Sequence, residues 1–98
     1  MFNTKQTIAV AQATIHPEGG ELSVLDYSLL CTAGPEGETL YGLRVDKRCP
    51  NGTLQEREET DAITGSLDEA MTLAKAFAAG TVPPCVLLEM VDEWLFAL

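Results

Sequence analysis

The chain has 98 residues, 46% of them apolar, which suits one modest globular domain and argues against disorder. Fifteen acidic side chains against six basic ones give a net charge of −9, concentrated late in the chain: residues 56–98 hold nine acids and two bases. A balance of this sign repels phosphate backbones, so no nucleic-acid partner is expected.

Apolar runs are only a few residues long, so no segment is expected to cross a membrane as a helix. Met1–Lys5 runs into the β-like Thr7-Ile8-Ala9-Val10 and lacks the basic start and long apolar block of a secretory signal. A cytoplasmic location is the expectation. Cys31, Cys49 and Cys85 are odd in number and widely spaced, with no CxxC pair, and His16 is the only histidine. That pattern predicts reduced, mostly buried thiols rather than a disulfide framework or a zinc site.

Three turn signals divide the first two thirds: His16-Pro17-Glu18-Gly19-Gly20, Gly34-Pro35-Glu36-Gly37 and Pro50-Asn51-Gly52. Asn51-Gly52 is the strongest short hairpin signal, because both residue types tolerate positive φ. The turns leave strand-length segments at about 5–15, 21–33, 38–48 and 53–63. Connections this short join antiparallel neighbours, so a four-stranded meander is expected. Leu25, Tyr27, Leu29 and Cys31 alternate along the second segment, as do Tyr41, Leu43 and Val45 along the third, with Arg44 and Asp46 pointing the other way. A period of two with one apolar face means a half-buried sheet. The fourth segment, with Gln55-Glu56-Arg57-Glu58-Glu59, is polar on both faces; it reads as a guarded edge strand or as an exposed ribbon.

Ser66-Leu67-Asp68-Glu69 has the form of a capping box opening a helix over 67–79. Leu67, Ala70, Met71, Ala74, Phe77 and Ala78 form its apolar stripe, and Gly80 sits where a glycine should stop it. Val82-Pro83-Pro84 punctuates, and a second helix is expected over about 84–97. Leu87, Met90, Val91, Trp94, Leu95 and Leu98 share its apolar face. Burying six such side chains contributes roughly 10 kcal/mol before entropy is subtracted. A helix so short is marginal alone, so this face must dock, most simply on the sheet.

No motif for catalysis, metal binding or phosphate binding is present, and neither cofactor nor metal is expected. Cys85 falls in the first turn of the second helix, where a dipole favours a thiolate, but no base is well placed and Glu89, Asp92 and Glu93 oppose it. His16 lies in a turn without a positioned partner. The runs Glu56–Asp61 and Glu89–Glu93 lack the alternating oxygens and glycine bend of a calcium loop and read as solvated surface. Arg44, Lys47 and Arg48, with Asp46 among them, form the only basic cluster and read the same way. Leu88 lies at the border of the second helix's apolar stripe and Phe96 lies opposite it, beside the acids. Apolar side chains on a wet face mark an interface, unless Phe96 folds back from a frayed end. Leu88 and Phe96 are therefore the candidate interface residues, in an isologous homodimer or against another protein.

Ile63-Thr64-Gly65-Ser66, the run from Val82 to Leu95 and the strand Tyr41-Gly42-Leu43-Arg44-Val45 resemble a family of small uncharacterised proteins from anaerobic Gram-positive bacteria. That family is a domain of unknown function, so the resemblance implies no activity. It implies polar residues at the positions of Val86 and Leu88; the apolar residues here favour self-association.

The sequence thus predicts a single α+β domain over 1–98, with a four-stranded antiparallel meander and two C-terminal helices on one face. The expected role is a non-enzymatic interaction or regulatory module that self-associates. The alternatives are an acidic inhibitor or mimic occupying a basic protein site, and a small enzyme or ligand binder using Cys85.

Overall fold

A computed structural model describes residues 6–97. Strands β1 (Gln6–Ile15), β2 (Ser23–Ala33), β3 (Thr39–Arg48) and β4 (Leu54–Glu59) form one antiparallel sheet in the order β1-β2-β3-β4. Helix α1 (Leu67–Ala79), a 3₁₀ turn (Pro84–Val86) and helix α2 (Leu87–Phe96) follow. The α+β meander with two C-terminal helices is the architecture expected. The second helix divides differently, because Pro83 and Pro84 tighten its entry into a separate turn. Residue 5 and Leu98 lie outside the described residues.

Each hairpin turn follows from its proline and glycine. In Gly34–Gly37 and Cys49–Gly52 the fourth residue's N–H donates to the first residue's carbonyl, at 3.1 and 2.9 Å, and that glycine takes positive φ. Proline fits the second position of such a type I turn, and a left-handed glycine closes it as a bulge. Asn51 therefore does not take the positive φ expected of an Asn-Gly hairpin: Pro50 shifts the turn frame by one residue and hands that conformation to Gly52 alone.

Alternation holds on the inner face, where Leu25, Tyr27, Leu29, Cys31, Leu43 and Val45 are buried. Helix α1 lies across β1, β2 and β3, while the 3₁₀ turn and α2 cover β3 and β4. The buried stripe of α1 is Ala70, Leu73, Ala74 and Phe77. Leu73 joins the core although the sequence stripe omitted it, and Leu67, expected inside, is 45% exposed at the first position of the helix. On α2 only Leu87 and Val91 are fully buried; Met90 and Trp94 are half-buried, and Leu95 is exposed.

The fourth segment does join the sheet, but it is regular only over Leu54–Glu59. The chain then bulges over the outer face of β3, and Ile63 and Thr64 return to pair with Tyr41. Gly42 makes this crossing possible: a Cβ there would lie 2.8 Å from the Asp61 carbonyl oxygen and 2.9 Å from that of Thr60. The same crossing borders Leu30, whose burial on the nominally polar face has no counterpart in the alternation of β2.

One buried hydrogen bond locks the helical layer to the sheet, and it is anchored on the end of α1. The Tyr27 hydroxyl, 1% exposed with its ring, donates to the Val82 carbonyl at 2.8 Å. Val82 N–H in turn donates to Phe77 O and Thr81 N–H to Ala78 O, the paired bonds of a Schellman stop. Gly80, expected to provide the left-handed stop, has φ −88°, and Thr81 takes φ +50° instead. Helix α1 nevertheless ends at Ala79, as expected; Gly80 is its C-cap, and the left-handed position falls one residue later.

Candidate functional site

Charge is segregated between the two faces of the molecule. On the outer face of the sheet, Asp46 is only 5% exposed and accepts from Arg57 Nε at 2.7 Å, Arg57 Nη2 at 3.0 Å and Arg48 Nη2 at 3.3 Å. Arg48 Nε also donates to Asp26 at 3.2 Å, and Asp26 accepts from Gln12 at 2.7 Å. Arg44 pairs with Glu59 at 2.6 Å on this face, while Lys47, which alternates to the other face opposite Leu25, pairs with Glu56 at 3.6 Å. Strand register builds this network: Asp26 lies opposite Asp46, and Asp46 opposite Arg57. Two facing carboxylates would repel, and Arg48 and Arg57 close on them. Burial alone would push the Asp46 carboxyl upward, but the Arg57 hydrogen bonds and the charges of Arg57, Arg44 and Arg48 prevail and hold it below the ordinary carboxylate range. The same bonds raise Arg57.

The basic cluster expected to be solvated is therefore neutralised: all three arginines and Lys47 face a carboxylate. Sequence reasoning missed Asp46 as a buried hub. Its alternation with Val45 on a half-polar strand was visible, but which cations would converge on it depends on register.

The helical face is the reverse. Asp68 and Glu69 on α1, and Glu89, Asp92 and Glu93 on α2, share their two helices with a single base, Lys75. Ser66 caps α1 by accepting from Glu69 N–H at 3.2 Å. Glu69 does not reach back to Ser66 as a capping box would. It accepts from the Thr64 hydroxyl at 2.7 Å, and Thr64 Oγ1 accepts from Ser66 N–H at 3.0 Å, so a threonine relays the contact.

Between the helices lies a groove of about 420 Å³, lined by Asp68, Glu69, Thr72, Leu73 and Ala76 from α1 and Trp94 from α2. Its lining is mostly apolar, with two carboxylates at the edge. On the other flank of α2 stand Leu88 and Leu95, 47% and 39% exposed, and Phe96, 92% exposed, projects from the outward side of the helix. The helix is regular through Phe96 and the ring does not fold back onto the protein. Leu95, placed inside by its periodicity, belongs to this exposed flank: it lies seven residues after Leu88 and shares its side of the helix.

Cys85 is exposed and sits in the 3₁₀ turn, not in the first turn of an α-helix, so the dipole argument for its activation loses its basis. Cys31 is buried and Cys49 half-buried, so only one of the three thiols meets the expectation of burial; all three are free. Among the described residues, no cluster of His, Cys, Asp and Glu is arranged to hold a metal ion. No helix among them is long and apolar enough to cross a membrane.

Fold and surface together define a small α+β protein with an ion-paired sheet face and an acidic, partly apolar helical face. The chain belongs to the DUF6514 family, a family of unknown function, which matches residues 6–97. No curated protein and no solved structure matches it.

Proposed function

We propose that this protein is a non-enzymatic, cytoplasmic interaction module that self-associates through the exposed flank of α2. The observation that carries the reading is Phe96: a regular helix presents it 92% exposed, on the outward side between Asp92 and Glu89, with Leu88 and Leu95 exposed along the adjoining side. Covering one such side chain is worth roughly 1.5–3 kcal/mol, so three together supply a compact anchor for an isologous contact. Leu88, singled out in the sequence, lies on this flank with Leu95, and Phe96, also singled out, projects from the adjoining outward side of the helix. The carboxylates Glu89, Asp92 and Glu93 share the helix and would repel across a dyad at low ionic strength, so added salt should strengthen the assembly.

Size exclusion with light scattering tests this directly. The wild-type chain should run at twice its 10.5 kDa mass, and Phe96→Glu should run as a monomer with an unchanged circular dichroism spectrum. A wild-type monomer at high protein concentration would overturn self-association.

A further inference from the structure

We propose that the groove between α1 and α2 receives a basic amphipathic helix of another protein, an inference that rests on the interaction-module reading but uses the opposite flank of α2. Glu69, Thr72, Leu73 and Ala76 recur at i, i+3, i+4 and i+7 and form one stripe along α1, facing Trp94. The stripe spans about 10 Å, the length of two turns of a visiting helix. Thr72 and Ala76 are small, and they leave open the space that larger residues would fill against α2. The half-buried Trp94 and the exposed Ala76 offer an apolar seat floored by the edge of the buried Leu73, and the exposed Asp68 and Glu69 also line it. An amphipathic helix laying its apolar side chains into such a groove is a common recognition mode.

Charge selects the occupant. The groove rim holds carboxylates and no base, and Lys75 is the only base on either helix. The chain's own arginines are engaged with carboxylates on the sheet's outer face. A second copy therefore has no cationic apolar helix to offer, and an acidic or phosphorylated segment would be repelled. A helix with leucine-like anchors flanked by Lys or Arg matches both features: its anchors fill the seat, and its cations reach Asp68 and Glu69 or the Trp94 ring.

The probe is a 14-residue leucine–lysine amphipathic peptide, with a leucine–glutamate peptide of the same pattern as control. Trp94 is the only tryptophan, so its emission reports on the groove itself. The leucine–lysine peptide should shift that emission to the blue and bind at micromolar concentration, while the glutamate peptide should not bind. Ala76 is exposed, so Ala76→Arg should fold normally, obstruct the seat and weaken binding at least tenfold. Asp68→Asn with Glu69→Gln should also weaken it, and Phe96→Glu should leave it unchanged. Absence of an emission shift, or equal affinity for wild type and Ala76→Arg, would overturn the proposal. So would dissociation of a wild-type dimer by Ala76→Arg, which would assign the groove to a second copy. Failure of self-association would appear in the scattering mass with peptide binding intact, so the two readings fail separately.

Discussion

Replacing Tyr27 by Phe removes one oxygen and tests how the helical layer is locked to the sheet. In the wild type the hydroxyl donates to Val82 O at 2.8 Å, in a site where the residue is 1% exposed. The variant keeps the ring's packing but leaves the Val82 carbonyl buried without this donor. Such a loss costs about 1–2 kcal/mol, a sizeable share of the 5–15 kcal/mol typical of a whole domain. In a chain of this size it should lower the midpoint of thermal unfolding by roughly 4–15 °C.

Tyr27 also carries a pH signature. Burial pushes its hydroxyl up to about 12, against 10.0 for a free tyrosine. A raised folded-state pKa means that the neutral hydroxyl's contribution is fully present below pH 10 and is lost as pH rises toward 12. Within that window wild-type stability should fall by about 1.4 kcal/mol per pH unit relative to Tyr27→Phe, which has nothing to ionise there. The two proteins should therefore differ by about 1–2 kcal/mol at pH 7 and become nearly equal near pH 11. Urea unfolding followed by far-ultraviolet circular dichroism at both pH values measures this. Equal stability at pH 7, or a gap that does not close with rising pH, would refute the reasoning.

Two further substitutions test the network and the helix stop. Asp46→Asn should cost about 2 kcal/mol at pH 7, less than a fully buried pair because the arginine side chains keep partial contact with water and can rehydrate. Because the folded carboxyl is held below its ordinary range, its contribution is present above about pH 4 and is lost as pH falls further; acid titration of unfolding should show wild type and Asp46→Asn converging there. Thr81→Gly should raise stability by about 0.5–1 kcal/mol, since Thr81 holds φ +50° and glycine takes that conformation without the steric penalty; thermal unfolding that is unchanged or earlier would count against this account of the stop.

Local rules carried much of the architecture into the sequence. Proline and glycine spacing marked three hairpins, period-two alternation marked the inner face of β2 and β3, and Ser66 marked the start of α1 at the residue where it begins. These signals depend on neighbours within a few residues, so they can be read along the chain. The exposure of Leu88 and Phe96 was also legible, because periodicity shows which apolar side chains are surplus to a helix's buried stripe. What the sequence could not show were relations across elements. Asp46 became a buried hub because register set Arg57 opposite it and Arg48 beside it. Leu95 is exposed and Leu73 buried because the face a helix presents to the sheet depends on its rotation about its own axis, which periodicity does not specify. The groove between α1 and α2 exists because the helices cover different strands, α1 over β1 to β3 and α2 toward β4, which leaves Leu73 and Trp94 facing across open space. Sequence patterning determined which surfaces had to be covered; three-dimensional packing decided which of them remained open, because burial is shared among elements far apart in the chain.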